Sequence, residues 1–122
     1  MGLCDKELRE ALCVIDEDVL EDALWTYEED FGNDESSEEY DIFSNVEEFN
    51  QKIMDGTIIM PKDLDDDTVG SLIDILNYHI KVREEDLEGG DDEQIEYAEE
   101  AIPKLRTMHK KLDDYWVCIN NL

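Results

Sequence analysis

Three aspartates at alternate positions, Asp63, Asp65 and Asp67, are the pattern in this sequence that comes closest to a metal site. Alternate carboxylates open the calcium loop of an EF-hand, in which a glycine allows a sharp turn and a glutamate closes the ligand set. Here Thr68 occupies the glycine position and Asp74 the glutamate position. The pattern therefore favours an acidic helix start over a calcium site.

Two Glu-x-x-Glu pairs, Glu85 with Glu88 and Glu93 with Glu96, match half of the magnesium-binding set of helical nucleotide pyrophosphohydrolases. Such spacings arise by chance in a chain this rich in acids. The sequence has no Glu-x-x-His pair, glycine-rich phosphate loop or recognisable Ser/His/Asp set. We therefore expect no catalytic residues and no cofactor, and keep a metal-dependent nucleotide hydrolase as the third hypothesis.

Three cysteines, Cys4, Cys13 and Cys118, are the remaining candidates for chemistry. They form no Cys-x-x-Cys pair, and none lies at zinc-ligand spacing from another or from His79 or His109. An odd number of unpaired cysteines is typical of reduced thiols, buried as small apolar side chains in a reducing compartment. The sequence therefore predicts neither a disulfide nor a metal site.

Charge is the distinctive feature of this chain. It has 36 Asp and Glu against 10 Lys and Arg, a formal net charge of −26 over 122 residues. Solubility of a small domain needs a net charge of only about 2–8 in magnitude. Because charge of one sign destabilises the compact state, we expect it to serve binding to a cationic partner. Free nucleic acid and anionic membranes would be repelled, so we expect neither as a direct partner.

Hydrophobic residues at helical spacing predict a mainly α fold: a compact bundle of about four helices forming a single acidic domain over residues 1–122. The first helical segment covers residues 5–31, either as one helix or as two helices separated near Asp16, which can cap the second. A long acidic loop follows at residues 32–42.

Three further helices are expected after this loop. A capping-box pattern at residues 44–47 predicts the start of the next helix, and Gly56 its end. Apolar stripes predict helices over about residues 66–87 and 92–119. Pro103 lies inside the last of these, so we expect a kink or a break there.

The acids are concentrated in the N-terminal two-thirds of the chain. Residues 1–50 hold 18 acids and 2 bases, residues 51–102 hold 16 and 4, and residues 103–122 hold 2 and 4. The basic cluster of the last segment can pair internally, for example Lys104 with Glu100 four residues earlier. We therefore interpret this cluster as a structural counterweight.

Two groups of acids are the predicted partner-binding surface. If residues 5–31 form one helix, five glutamates fall on the face opposite its apolar stripe. From Glu28 to Asp41 the chain then has eight acids and no base. Tyr40 is the best candidate for an exposed aromatic anchor among them. The full predicted set is Glu7, Glu10, Glu17, Glu21, Glu28, Glu29, Asp30, Asp34, Glu35, Glu38, Glu39, Tyr40 and Asp41.

In size and acidity the chain resembles the phage-encoded nucleic-acid mimics of the anti-restriction and anti-CRISPR type. The resemblance is one of composition, without a shared motif, so it assigns no residue roles. It implies a non-enzymatic inhibitor that occupies the basic DNA- or RNA-binding surface of a nuclease or CRISPR/restriction effector. The N-terminus has no secretory pattern, which predicts a cytoplasmic protein, in the host cytoplasm if phage-encoded.

Two alternatives remain open. An acidic immunity or chaperone-type protein that neutralises one basic toxin or client would use the same electrostatics with another partner. A salt-adapted source would produce a similar composition without any binding role.

Overall fold

The computed structural model describes residues 4–31 and 36–121, and within these residues the chain is helical and has no strand. The predicted mainly α fold is confirmed, with five helices in place of about four. None of the described helices has the length and apolarity to cross a membrane. The helices are α1 (Asp5–Val14), α2 (Glu17–Phe31), α3 (Glu38–Met54), α4 (Asp66–Gly89) and α5 (Asp92–Asn120), with a short 3-10 helix (Pro61–Asp63) before α4.

The first predicted segment is two helices. Ile15 leaves the helical conformation, with φ −69° and ψ 119°. The Asp16 carboxylate then accepts the Val19 N–H at 3.1 Å and caps α2, as the sequence allowed. The glutamates of residues 5–31 therefore do not form one continuous line: Glu7 and Glu10 lie on α1, and the others lie on α2.

Helix α3 begins earlier than predicted. Its cap is Ser37, whose hydroxyl accepts the Tyr40 N–H at 3.1 Å, and Ser44 lies inside the helix. The capping-box pattern at residues 44–47 was therefore misleading. The true cap, Ser37, does not match the pattern, because Tyr40 stands where the pattern requires Glu or Gln. The predicted acidic loop at residues 32–42 is wrong for its last five residues, which are helical, and residues 32–35 lie outside the described part of the chain.

Helices α4 and α5 form the central pair of the bundle, and their predicted ranges are confirmed. Asp65 caps α4 by accepting the Thr68 N–H at 2.9 Å, in line with an acidic helix start. Helix α5 continues through Pro103, so the predicted break is absent. The neighbouring Ile102 and Leu105 are buried. Burying two such side chains contributes about 3–6 kcal/mol, which offsets the roughly 3 kcal/mol cost of an internal proline.

The other helices pack around this pair. Helix α1 lies against α5, α3 lies against α4, and α2 contacts both α3 and α4. The core is built from the apolar stripes of all five helices. Its fully enclosed side chains include Leu20, Val46, Phe49, Leu64, Val69, Leu72, Ile75, Leu76, Leu105, Met108 and Leu112.

The basic cluster of α5 pairs with acids of the bundle, which confirms the predicted internal pairing. The Nζ atom of Lys104 lies 3.4 Å from Oδ2 of Asp16 and 3.7 Å from Oε1 of the predicted partner, Glu100. Lys111 lies 3.4 Å from Glu10. The other two pairs are Arg106 with Glu84 at 3.3 Å and Lys110 with Asp114 at 3.6 Å.

Cys4 and Cys118 form a disulfide that joins the start of α1 to the end of α5. The prediction of reduced thiols is therefore wrong for this pair, and the free cysteine is Cys13, which is exposed. The two bonded residues are 114 positions apart with Cα atoms 6.1 Å apart. Only the antiparallel packing of α1 on α5 brings them together, so no local spacing could have revealed the bond.

Candidate functional site

The candidate site is a groove of about 960 Å³ between α2 and α3, which we call the acidic groove. Its lining carboxylates are Asp18, Glu21, Asp22, Glu28, Glu47 and Glu48. Lys52 is the only cation among the described lining residues, and its Nζ lies 3.0 Å from an oxygen of Asp63. The groove therefore keeps a strongly negative potential, because its single positive charge is already paired.

The periodicity of α2 explains why the acids meet on one side. Glu17, Glu21 and Glu28 fall within about 40° of each other at about 100° per residue. Val19 and Ala23 lie on another face and are buried in the core. The burial of the apolar face therefore directs the three glutamates outward, and two of them line the groove.

Apolar side chains also line the acidic groove. Trp25 lies on the same face of α2 as Glu21 and Glu28, and it is 62% exposed. Met54, at the end of α3, is 54% exposed and lines the opposite side. An exposed aromatic ring among carboxylates is suited to a partner's arginine or lysine, since the ring face attracts the cation and the acids neutralise it.

The exposed aromatic residue is not the one that the sequence favoured. Tyr40 is half-buried, with its ring 6.4 Å from the ring of Phe43. Tyr27 is buried and packs on Phe31 at 4.8 Å. Trp25 is therefore the aromatic side chain of the N-terminal half that is best placed to contact a partner.

Asp22 lines the acidic groove but interacts with the interior. Its carboxylate lies 3.4 Å from Nε2 of the fully buried His79 and accepts a hydrogen bond from the Tyr97 hydroxyl. The His79 ring and the Tyr97 hydroxyl together hold the pKa of Asp22 below its usual value, despite its partial burial. Burial and the Asp22 hydrogen bond raise the pKa of Tyr97. This cluster joins α2, α4 and α5, so we assign Asp22 to the scaffold of the groove.

The lowered pKa of Asp22 predicts that its carboxylate stabilises the folded chain in a pH-dependent way. A carboxylate whose pKa is lower in the folded chain stabilises it above the unfolded-state pKa of about 3.9, and this stabilisation is lost as the pH falls through the folded value. We expect Asp22→Asn to lower the free energy of unfolding by about 1 kcal/mol at pH 7, a value reduced from that of a buried charged hydrogen bond because Asp22 is partly exposed.

Urea denaturation at pH 7 and pH 3 measures this effect. Asp22→Asn should lose less stability than the wild type between the two values, whereas Asp18→Asn, at an exposed neighbour, should follow the wild type. Equal acid sensitivity of Asp22→Asn and the wild type would show that Asp22 does not carry this dependence.

The predicted partner-binding residues fall into separate places. Glu21 and Glu28 line the acidic groove. Glu7 and Glu10 lie on α1 beside α5, and Glu10 is paired with Lys111. The remaining exposed members are Glu17, Glu29, Asp30, Glu38 and Asp41, and the half-buried members are Glu39 and Tyr40.

Two of the predicted residues, Asp34 and Glu35, lie outside the described part of the chain. Asp30 is exposed but accepts a hydrogen bond from the Tyr78 hydroxyl, which together with burial raises the pKa of Tyr78 to about 12. Asp30 is therefore already engaged within the bundle.

Sequence reasoning missed the α3 side of the groove. Glu47 was interpreted as part of a helix start, and Glu48 was not considered for binding. Both are exposed, and they lie between Val46 and Phe49, which are buried. The predicted helix, with Val46 and Phe49 on its buried face, already placed both glutamates on an exposed face, but its period could not reveal that this face borders α2.

Comparison with known proteins adds no family to this description. No protein-family model matches the chain, and no curated protein or solved structure is significantly similar to it. The acidic groove is therefore the feature of the chain that points to a function.

Proposed function

We propose that this protein is a nucleic-acid-mimic inhibitor. The acidic groove and the exposed acids beside it occupy the basic DNA- or RNA-binding surface of a nuclease or of a CRISPR or restriction effector. The observation that supports the proposal is a groove lined by six carboxylates and an exposed tryptophan, with its one lysine paired. The protein acts by exclusion of the true substrate, without catalysis, in the cytoplasm where such effectors work.

The density of charge in the groove supports mimicry. The four acids of α2 lie between Asp18 and Glu28, which is about 15 Å along the helix axis at 1.5 Å per residue. With the two acids of α3, six charges border this length. Duplex DNA carries one charge per about 1.7 Å, or roughly nine over the same length. Asp22 is engaged by His79 and Tyr97, so five charges remain for a partner, and the groove reaches rather more than half of the linear charge density of a duplex.

Trp25 gives the groove a second property of nucleic acid. Proteins that bind single strands combine cationic side chains with aromatic and arginine groups that stack on bases. An arginine placed over the Trp25 ring would contribute about 0.5–2 kcal/mol through cation–π attraction. A surface evolved to hold phosphates and bases thus finds both carboxylates and an aromatic face in the acidic groove.

Competition tests the proposal. The tagged protein is used to capture partners from a host lysate at low salt, and the proteins released at high salt are identified by mass spectrometry. We expect the captured proteins to be nucleic-acid-binding proteins. Duplex DNA or guide RNA should displace them from the tagged chain, and more of either competitor should displace more protein. Association should slow steeply with added salt, because long-range attraction steers it.

Failure of both DNA and guide RNA to displace a captured basic protein would exclude mimicry. The acidic immunity or chaperone alternative would then apply, because it requires a basic partner but no nucleic-acid-binding surface. Turnover of nucleotides with magnesium by the purified chain would overturn the non-enzymatic assignment.

A further inference from the structure

Glu7 lies beside the disulfide that joins α1 to α5. The sulfur atoms of Cys4 and Cys118 and one Glu7 carboxylate oxygen lie within 4.8 Å of one another. Within the described part of the chain, no other group of three or more His, Cys, Asp or Glu side chains converges in this way. Ligands of tetrahedral zinc lie about 3.5–3.8 Å apart, because Zn–S bonds are about 2.3 Å and Zn–O bonds about 2.0–2.2 Å. The Glu7 oxygen already lies within 4.8 Å of both sulfur atoms, and the two sulfur atoms, which are bonded to each other, can reach zinc-ligand spacing only when the disulfide is reduced.

The Glu7 carboxylate provides an independent indication of a ligand. Its Oε2 atom is shielded from solvent and has no hydrogen-bond partner among residues 4–31 and 36–121. Buried polar atoms without a partner are rare in native proteins, because the lost hydration is not replaced. A disulfide has no proton to donate to this oxygen. A cation held between Glu7 and the two sulfur atoms would supply the missing partner.

We propose that Cys4, Glu7 and Cys118 form a zinc-binding site when the disulfide is reduced. Two molecules of a thiol reductant supply two electrons and two protons, leaving two cysteine thiols in the chain and one disulfide in the reductant. Zn²⁺ then binds both sulfur atoms as thiolates and releases their two protons to solvent. Glu7 is the third ligand, and a water molecule completes the tetrahedron.

The position of the cluster suits this ion. Cys4 precedes the first turn of α1, and Glu7 lies in that turn. Zinc bound to two thiolates and one carboxylate has a net charge of −1, which the positive end of the α1 helix dipole stabilises. The thiolates also give selectivity, because the exposed carboxylates elsewhere on the chain are hard ligands that prefer magnesium or calcium.

The two states have the same structural effect and exclude one another. Either the disulfide or the zinc ion would join the start of α1 to the end of α5. In a reducing compartment thiols prevail over disulfides, so zinc would be the joining group there. This inference does not depend on the proposed inhibitory function.

Cobalt substitution of the full chain tests the site. The protein is reduced with a phosphine and kept in millimolar magnesium, which occupies the exposed carboxylates. We expect one Co²⁺ per chain, with a thiolate-to-cobalt charge-transfer band that one equivalent of Zn²⁺ removes. The oxidised protein should show no band. Cys13→Ser should keep it, Cys4→Ser should lose it, and Glu7→Gln should weaken Zn²⁺ binding at least tenfold.

Several outcomes would overturn the proposal: no charge-transfer band in the reduced wild type, a band that persists in Cys4→Ser, or unchanged zinc affinity in Glu7→Gln. Circular dichroism checks that each reduced variant remains helical. If Cys4→Ser does not fold, the comparison of oxidised and reduced wild type, together with Glu7→Gln, decides the question.

Discussion

We expect that replacing Glu21, Glu28, Glu47 and Glu48 with glutamine lowers the affinity for the proposed basic partner about a thousandfold. Each carboxylate is exposed and lines the acidic groove, so each can meet a partner cation. At about 1 kcal/mol for each charge pair, the four replacements remove about 4 kcal/mol, and each 1.4 kcal/mol is a tenfold change. Isothermal titration with the captured partner measures the loss.

A matched variant separates the groove from the total charge. Glu88, Glu93, Glu96 and Glu99 are exposed and lie outside the groove lining, and their replacement with glutamine changes the net charge by the same amount. We expect this control to lose less than about tenfold in affinity, through weaker long-range steering alone. If both variants lose affinity equally, the partner responds to overall charge and the groove is not the binding site.

The tryptophans provide a second readout for the same experiment. The chain has two, and replacing Trp116 with phenylalanine leaves Trp25 as the only one. Because Trp25 is 62% exposed, its emission should shift to shorter wavelength when a partner covers the acidic groove. An unchanged spectrum at saturating partner would place the contact elsewhere on the surface.

We expect reduction of the Cys4–Cys118 disulfide to lower the free energy of unfolding by about 4 kcal/mol in the absence of zinc. The bonded cysteines are 114 residues apart, so the bond restricts almost the whole unfolded chain. Loop-closure entropy for a loop of this length is worth about 4–5 kcal/mol, and native disulfides of small domains commonly contribute about 2–5 kcal/mol. Urea denaturation with and without a phosphine reductant, in the presence of a chelator, measures the difference.

This loss is large for a chain of this size and charge. A small domain has about 5–15 kcal/mol of net stability, and a net charge of −26 reduces it through self-repulsion. Cys13→Ser should respond to reduction as the wild type does, because Cys13 is free and exposed. A change below about 1 kcal/mol on reduction would show that the bond does not constrain the unfolded chain.

Zinc should stabilise the reduced protein if it binds at the proposed site of Cys4, Glu7 and Cys118. A ligand that binds only the folded chain adds stability that grows with its concentration relative to its dissociation constant. Adding Zn²⁺ to the reduced protein should therefore recover much of the stability lost on reduction. In Glu7→Gln the recovery should require a higher zinc concentration.

Local rules in the sequence determined the helical class, the extents of α4 and α5, and the pairing of Lys104 with Glu100. These features depend on residues within one or two turns of each other, where period, caps and charge pairs can be read directly. Asp16 is an example, since its capping hydrogen bond reaches only to Val19. Rules of this kind failed at Ser37, where Tyr40 stands in place of the Glu or Gln of a capping box.

Only the tertiary structure decided which distant residues meet. Cys4 joins Cys118, α2 borders α3 to form the acidic groove, and Asp22 turns inward toward His79. Periodicity identifies the apolar face of a helix, but it does not say which helix covers that face or how much of it. Trp25 and Tyr27 are two residues apart on α2, yet Trp25 is exposed and Tyr27 is buried. A step of two residues rotates the side chain by about 200° around the helix. Only the packed bundle supplies the neighbours that cover one of these two directions.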